Sequence, residues 1–336
     1  MPQDPLVFID PGHGAHDPGA GMPERPARID ALREGLAASG VAFDLVEPAP
    51  ADRADVVRVH TREYLDWLKS YCAGGGGWID ADTPAGPQSM EVALRAAGAC
   101  CAAVDAALQT GRRAFCMVRP PGHHARPDRA MGFCLINNVA VAAARAAAGG
   151  IRPAIVDFDV HHGNGTQEMF YEDPRVLYVS IHQWPWYPWE NGDLEYAGEG
   201  PARGSNVNIP MPEASGDEVY LEAFDRIVTP VLQRFGPEML IVSAGFDAHA
   251  SDPLGGQAVT GAGFAAMSAL LVSAAEDLCG GRVFFALEGG YNLDVLKEAA
   301  PAVMAALGGN GPAHKGETGE KTEWLDPIAE FHLKRR

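Results

Sequence analysis

Short apolar runs alternate with longer, alanine-rich segments along the chain. The runs are typical of buried strands and cover residues 6–9, 43–46, 114–118, 154–158, 176–181, 240–243 and 283–287. The segments between them predict helices, at residues 90–109 before a C-cap at Gly111, at 139–148, from a capping box at 215–218 to about residue 235, and from an N-cap at Thr260 to residue 279. Strands alternating with helices favour parallel pairing, so the pattern predicts an α/β fold with both faces of the sheet covered.

Polar motifs follow the carboxyl ends of five of these runs. They are Arg119 to His124, Asp159 with His161, His182, Gly245 to Asp247, and Glu288 to Tyr291. In open parallel sheets, ligand sites form beyond the carboxyl ends of the strands. The motifs therefore predict one shared site at that edge of the sheet.

The second of these motifs is the most acidic. Asp157 and Asp159 alternate with apolar residues and His161 continues their face, whereas His162 points to the opposite face. Two buried like charges need a cation to offset them, unless the strand end is exposed and its acids are solvated. Asp159, His161 and Asp247 make a plausible zinc-ligand set with a position left for water and substrate.

A metal with two carboxylate ligands calls for an auxiliary base. His123 and His124 follow a Pro-Pro-Gly turn and supply the candidates, although a histidine pair can also be purely structural. Asp157 is well placed to hold a histidine in one tautomer. The hydroxyl of Tyr291 could donate to a developing oxyanion, the alternative being a half-buried core tyrosine.

Other catalytic templates are missing from the sequence. Ser243 lies outside a Gly-x-Ser-x-Gly motif, and the chain has neither a Walker A loop nor a His-Glu-x-x-His motif. A binuclear manganese ureohydrolase would need a His-x-Asp pattern, and the chain has Asp159-Val-His161 instead.

Length and composition limit the number of domains and the kinds of binding partner that we expect. The chain has 336 residues, of which 47% are hydrophobic, so a single large catalytic domain over residues 1–310 is expected. Residues 311–336 are expected to form a tail with a short docking helix. The 44 acids against 26 bases, a formal charge of −18, argue against nucleic acid and are compatible with cationic substrates or simply with solubility.

Cysteine usage and the N-terminus bear on the compartment. The six cysteines form no Cys-x-x-Cys pair and several lie in apolar runs, which indicates reduced, buried thiols. The N-terminus has no basic n-region, and no apolar stretch looks long enough to span a bilayer. We therefore expect a soluble, cytoplasmic protein without a membrane partner.

Taken together, the motifs resemble the zinc-dependent histone deacetylase superfamily, which includes bacterial deacetylase-like amidohydrolases, acetoin-utilisation proteins and acetylpolyamine amidohydrolases. The matching stretches are residues 23–28, 119–124, 132–138, 157–167, 243–253 and 288–291, in the expected order. They span roughly residues 6 to 307, nearly the whole chain.

The resemblance implies a three-layer, arginase-like α/β fold with a central, mostly parallel eight-stranded sheet. It implies that Asp159, His161 and Asp247 bind one zinc ion, that His123 and His124 transfer protons, with His124 the better general base, and that Tyr291 polarises the amide carbonyl. Water on zinc would attack, and a histidine would protonate the leaving amine. A potassium ion is expected beside the zinc site, with Asp157, Asp159, His161, Ser180 and Ile181 contributing.

The resemblance also implies substrate contacts. Phe133 and Tyr187 match aromatic walls that grip an acyl-lysine stem, with Gly132 and Leu254 beside them. Asp82, with Asp80 nearby, lies near a rim aspartate that binds the substrate backbone. Arg28 matches an arginine of the internal cavity through which acetate can leave.

Some positions depart from the family's pattern or discriminate within it. Asn164 stands where many members have an aspartate behind the second histidine, which leaves the protonation of His124 open. The tyrosine at position 291 favours deacetylase activity, since weakly active members of the family carry histidine at that position. Leu254, in place of a glutamate gatekeeper, resembles the lysine deacetylases. The aromatic loop Trp184 to Trp189 should line the tunnel mouth, unless it packs on a neighbouring subunit or helix.

The sequence thus predicts a zinc-dependent hydrolase that removes acetyl or other short acyl groups from lysine-like amines. An acetylpolyamine amidohydrolase is the alternative within that class, and a catalytically weak binder of acylated ligands is the alternative outside it. The acyl group, the amine, the pathway and a homo-oligomeric state are left open.

Overall fold

The computed structural model describes residues 4–312 and 322–334 of the chain. Its strands, β1 to β10 in chain order, are Leu6–Phe8, Asp44–Val46, Gly77–Trp78, Pro84–Ala85, Ala114–Cys116, Pro153–Asp157, Leu177–Gln183, Asn206–Met211, Met239–Ala244 and Val283–Leu287. Eight of them form one sheet in the order β2-β1-β5-β10-β9-β6-β7-β8, and every neighbouring pair is parallel. The short strands β3 and β4 pair separately as an antiparallel ribbon.

Helices cover both faces of this sheet. In chain order, α1 to α11 are Ala27–Ser39, Arg53–Val56, Arg62–Ala73, Ser89–Thr110, Asn138–Ala148, Asn164–Phe170, Asp217–Ala223, Thr229–Phe235, Gly261–Cys279, Leu293–Leu307 and Leu325–Leu333. A π-helical turn, Phe224–Val228, joins α7 to α8, and short 3-10 helices occur at His13–Ala15 and Gly200–Ala202.

The core lies in two layers, one on each side of the sheet. Ile155 on β6 packs in the layer under α3, α4 and α5, while its neighbour Val156 packs in the layer under α1, α9 and α10. Phe284 and Phe285 on β10 divide between the two layers in the same way. Consecutive strand residues point to opposite faces, and both faces are apolar because both are covered. The three-layer α/β fold is therefore confirmed.

Of the helix ends predicted from the sequence, two are confirmed and one is wrong. Gly111 ends α4 in the left-handed conformation, and the Thr260 side chain caps α9 by accepting from Gly263, both as predicted. The capping box at residues 215–218 is wrong: α7 begins after Gly216 without a side-chain cap, because the Ser215 hydroxyl donates to the carbonyl of Pro212. The apolar runs also missed β8.

Helix α9 corrects an expectation about membrane spans. By length and composition alone, Gly261–Cys279 is long and apolar enough to cross a bilayer, contrary to the expectation from the sequence. Half of that span is buried inside the protein, with Phe264, Met267 and Leu271 in the core. The core helix of a soluble protein meets the same criteria.

A helix does occur in the tail. Leu325 and Ile328 of α11 are buried, and the ring nitrogen Nε2 of His332 lies 2.9 Å from the carbonyl oxygen of Asn208 on β8. Residues 313–321 and 335–336 of the predicted tail lie outside the described residues, and the domain boundary at residue 310 stays a prediction.

Candidate metal centre and active site

Four neighbouring strands in the middle of the sheet deliver most of the polar motifs. Strand β5 leads to His123 and His124, β6 to Asp159 and His161, β9 to Asp247, and β10 to Tyr291. Parallel strands end at the same edge of a sheet, so these side chains meet in one place. The fifth motif does not join them: His182 lies within β7 and bonds to Ser180 and to the carbonyl of Gly192.

Asp159, His161 and Asp247 form the predicted metal-binding group. All three are buried, and one potential ligand atom from each lies within 4.8 Å of the others. Nδ1 of His161 lies 3.0 Å from Oδ1 of Asp159 and 3.3 Å from Oδ2 of Asp247. His162 points away, as expected, and bonds to Gln167.

The surroundings of this group fit a cation. Oδ2 of Asp247 is buried without a hydrogen bond from the described residues, whereas its Oδ1 accepts from the N–H of Val160 at 2.9 Å. Burial, and then repulsion from Asp159, raise the pKa of Asp247. A Cβ atom at Gly289 would stand 1.9 Å from that same Oδ2, so only glycine leaves the carboxylate in place. An orphaned buried carboxylate oxygen costs free energy that a metal ion would offset.

His123 is held by a carboxylate. Its Nδ1 lies 3.0 Å from Oδ2 of Asp157, and its Nε2 lies 3.8 Å from Oδ1 of Asp159. Burial lowers the pKa of His123, but the nearby carboxylates of Asp159 and Asp157 outweigh it and raise that pKa to about 10. Asp157 also accepts from the hydroxyl of Tyr178 at 2.9 Å, so its position is fixed from two sides.

His124 has a neutral partner instead. Its Nδ1 lies 2.9 Å from Oδ1 of Asn164, and its ring centroid is 4.0 Å from that of His123. Burial, followed by repulsion from His123 and His161, holds the pKa of His124 well below its usual value. The two adjacent histidines therefore differ in basicity, and His124 is the neutral one.

Tyr291 belongs to the motif that follows β10. Its side chain is buried, and burial raises the pKa of its phenol well above the ordinary value, so the hydroxyl keeps its proton for donation. The ring packs edge-on against Phe133 at 5.6 Å between centroids. Its backbone N–H donates to Asp252 at 2.7 Å, which fixes the turn that carries it.

One cavity of about 320 Å³ opens onto the site. It is lined by Asp82, His124, Gly132, Phe133, His161, Trp186, Tyr187, Trp189, Leu254 and Tyr291. Three aromatic residues of the Trp184 to Trp189 loop thus reach the cavity. Trp184 does not line it, and its indole N–H donates to Asp193 at 2.7 Å.

Asp82 supports one wall of this cavity. Its carboxylate accepts from the N–H of Gly132 at 3.1 Å and from the hydroxyl of Thr83 at 2.6 Å. Gly132 and Phe133 both have positive φ, 57° and 65°. A Cβ at Gly132 would lie 2.5 Å from Cδ2 of His124, so this wall of the cavity packs directly against His124.

The remaining predicted residues lie close by. Ser180 faces Asp157 across the β6–β7 pair, and Ile181 follows it. Arg28 is fully buried behind Tyr291, with its guanidinium carbon 4.9 Å from the ring centroid, and it donates to the carbonyls of Gly290, at 2.7 Å, and Glu288.

Two acidic residues near the site were not assigned a role from the sequence. Glu288 is buried, and its Oε2 accepts from the backbone N–H groups of Gly122 and His123 at 2.7 and 3.1 Å. Glu190 accepts from the side chain of Asn164. Glu288 belonged to a recognised motif, which was a usable signal, whereas nothing in the sequence marked Glu190.

The fold and this site define a hydrolase-type centre at the end of a parallel sheet, and comparison with known proteins identifies its family. Residues 22–307 match the histone deacetylase domain. The chain belongs to the histone deacetylase family, whose members act as deacetylases and amidohydrolases on acylated amines.

Individual relatives agree with this assignment. The chain is 40% identical to a histone deacetylase-like amidohydrolase of Pseudomonas aeruginosa, over 93% of this chain and 83% of that protein. It is 41% identical to a probable deacetylase of Archaeoglobus fulgidus, over 88% of this chain and 83% of the relative. The crystal structure of the HDA15 HD domain superposes with a TM-score of 0.89 at 36% identity, covering 99% of this chain and 96% of the other.

Proposed function

We propose that the protein is a zinc-dependent deacetylase that hydrolyses acetyl or other short acyl amides of lysine-like amines. One observation carries the proposal: a single cavity is lined by His161 of the buried Asp159, His161 and Asp247 group, by His124 of the histidine pair and by Tyr291. One imidazole and two carboxylates suit zinc and leave a coordination position open. Zinc, when bound there, would supply Lewis-acid polarisation of the amide carbonyl and lower the pKa of water.

The histidine pair would move the proton. Nδ1 of His124 is occupied by Asn164, so Nε2 is the nitrogen available to the cavity. The neutral ring accepts a proton there as water attacks the carbonyl carbon, and it returns that proton to the amine nitrogen as the C–N bond breaks. His123, oriented by Asp157, lies beside it. The products are a free amine and a carboxylic acid, which releases the second proton of the water as it ionises.

Tyr291 would stabilise the developing charge. Its protonated hydroxyl faces the same cavity and donates to the carbonyl oxygen as that oxygen becomes negative. Arg28, packed on the ring and bonded to the carbonyl of Gly290, holds the tyrosine turn in place. We further propose that Asp157, Asp159, His161, Ser180 and Ile181 contribute to a potassium site.

We also propose that the enzyme is cytoplasmic.

The cavity supports a narrow, apolar substrate stem. Phe133 and Tyr187 line it, and the Nε1–H of Trp186 donates to the carbonyl oxygen of Leu254 at 3.1 Å, which ties the mouth loop to the opposite wall. Asp82 beside the tryptophans also favours acetylated polyamines, because a carboxylate and aromatic faces both attract ammonium groups.

A substrate panel on metal-loaded protein tests the proposal. Zinc content is measured, and kcat/KM is compared for an acetyl-lysine peptide, longer acyl-lysines, acetylspermidine and acetylputrescine. Asp159→Ala should lose both the zinc and the turnover, while Asp277→Ala, an exposed acid on α9, should keep both. Turnover by chelated Asp159→Ala would refute zinc dependence, and zinc binding without turnover of any amide would favour a binder.

A further inference from the structure

Glu190 links the cavity loop to the proposed general base. It directly follows Trp189, which lines the cavity mouth, and its side chain is 36% exposed. Its Oε1 accepts from Nδ2 of Asn164 at 2.9 Å. The same oxygen accepts from the guanidinium of Arg126 at 2.9 Å, and Arg126 also forms an ion pair with Glu168.

These contacts restrict the orientation of the Asn164 amide. A carboxylate can only accept hydrogen bonds, so the amide group that faces Glu190 must be the NH2. The carbonyl oxygen of Asn164 must then face Nδ1 of His124, at 2.9 Å. An amide oxygen can only accept, so Nδ1 of His124 must carry a proton, and Nε2 of the neutral ring is left as the acceptor.

We propose that Glu190 is a positioning residue that fixes the tautomer of His124 by fixing the orientation of Asn164. The inference rests on the proposed function, in which His124 is the base. If Glu190 has this role, the aromatic loop both lines the cavity and orients His124. The segment that forms the tunnel mouth through Trp186, Tyr187 and Trp189 ends in the carboxylate that prepares the base, so the loop must be in place for Nε2 to be free.

Residue 190 can be varied to separate this role from simple packing. Gln at this position keeps an oxygen that can accept from both Asn164 and Arg126, because both bonds go to one oxygen, Oε1. Glu190→Ala removes the acceptor. Glu195→Ala, an exposed acid further along the same loop, is the matched control.

A second substitution replaces the attraction between residues 164 and 190 by repulsion. Asn164→Asp replaces an amide by a carboxylate 2.9 Å from Glu190, so two like charges would face each other behind His124. The double variant Asn164→Asp with Glu190→Gln removes that repulsion, because glutamine carries no charge. Asn164→Asp should therefore be more damaging with Glu190 present than with Gln present.

The kinetic experiment compares kcat and KM for all of these variants on the best substrate of the panel. We expect Glu190→Ala to lower kcat by about 10- to 100-fold with little change in KM, as removal of an orienting partner typically does. Glu190→Gln should recover most of that loss. If Glu190→Ala and Glu190→Gln behave alike, or Asn164→Asp is equally harmful in both backgrounds, the proposal is overturned. Thermal unfolding of each variant identifies any that simply fail to fold.

Nitrogen NMR of imidazole-labelled protein reads the tautomer directly. The His124 signals are identified by their loss in His124→Gln. Wild type and Glu190→Gln should show a protonated Nδ1, and Glu190→Ala a mixture of tautomers. A single, unchanged tautomer in Glu190→Ala would also overturn the proposal. This readout needs no turnover, so it remains decisive even if the wild-type protein hydrolyses none of the amides and the proposed function fails.

Discussion

The buried carboxylate of Glu288 makes it possible to measure how much free energy a buried charge costs in this fold. It is buried at the end of β10 and accepts three hydrogen bonds, from the backbone of Gly122 and His123 and from the hydroxyl of Ser243 at 3.2 Å. Glu288→Gln has nearly the same shape. Its oxygen can keep both backbone bonds, and its NH2 can donate to the Ser243 oxygen.

The magnitude follows from the pKa. Burial is the main cause that raises the pKa of Glu288 from 4.5 to about 7, although the positive charge of His123 opposes it. A raised acid pKa means that the fold binds the proton more tightly than the unfolded chain does. This tighter binding stabilises the fold in full at a pH below the pKa that Glu288 has in the unfolded chain. The stabilisation is lost as the pH rises through the pKa that Glu288 has in the folded protein. At about 1.4 kcal/mol per pKa unit, the loss amounts to about 3 kcal/mol.

Urea unfolding of the metal-free protein from about pH 4 to about pH 8 measures this effect, since the variant has no charge to acquire at residue 288. Wild type and Glu288→Gln should have similar free energies of unfolding at the acidic end. The variant should become relatively more stable by about 3 kcal/mol toward the alkaline end. A stability difference that does not change with pH would refute the reasoning. Chelator in every sample removes the separate pH dependence of metal binding.

Three further substitutions probe the cavity. Tyr291→Phe should lower kcat by about 100- to 1,000-fold with little effect on KM in steady-state kinetics, since it removes an oxyanion donor; an effect on KM alone would contradict that role. Gly132→Ala should lower kcat, because its Cβ would press on His124, whereas Gly111→Ala, at φ 69° with nothing within 4 Å, should lose only stability in a melting assay. Trp189→Ala should raise KM by about fivefold for peptide substrates, as expected for about 1 kcal/mol of aromatic contact; unchanged KM values across the substrate panel would place this exposed ring outside the binding site.

Much of the architecture was predictable because apolar runs report burial directly. Strand β8 was missed because it carries Asn206 and Asn208, which are polar, and Pro210. Both asparagines are buried, and both donate to Gln167 at 2.8 Å, which makes their burial tolerable. Proline is tolerated because β8 is the last strand of the sheet. Neither fact is visible in the sequence.

The first turn of α7 contains another contact that the sequence did not reveal. Asp217 lies in the first turn of α7, but its carboxylate accepts from the backbone and the hydroxyl of Thr260, at 2.8 and 2.6 Å. The residue therefore serves the start of α9, more than forty positions away along the chain. Local spacing cannot reveal a cap that is used by a distant helix.

The candidate site was predictable where chemistry is concentrated in short motifs. Asp159 and His161 stand together after one strand, and the placement of Asp247 and Tyr291 followed from the rule for parallel strands. The contacts of Glu190 and Asp82 come from loops whose paths no periodicity describes. They could be found only once the side chains had been placed.

The distance along the chain between the proposed metal ligands has a consequence for biogenesis. The N–H of Gly289 donates to the carboxylate of Asp159 across 130 positions, and Val160 donates to Asp247 across 87. A ribosome making this chain therefore completes Asp159 and His161 long before their partners exist. A fragment that ends before Asp247 lacks one of the three proposed ligands, so the proposed metal ion would be held by the full set only after β9 and the residues that follow it have been made. Metal retained at the proposed site would then show that synthesis has passed Asp247.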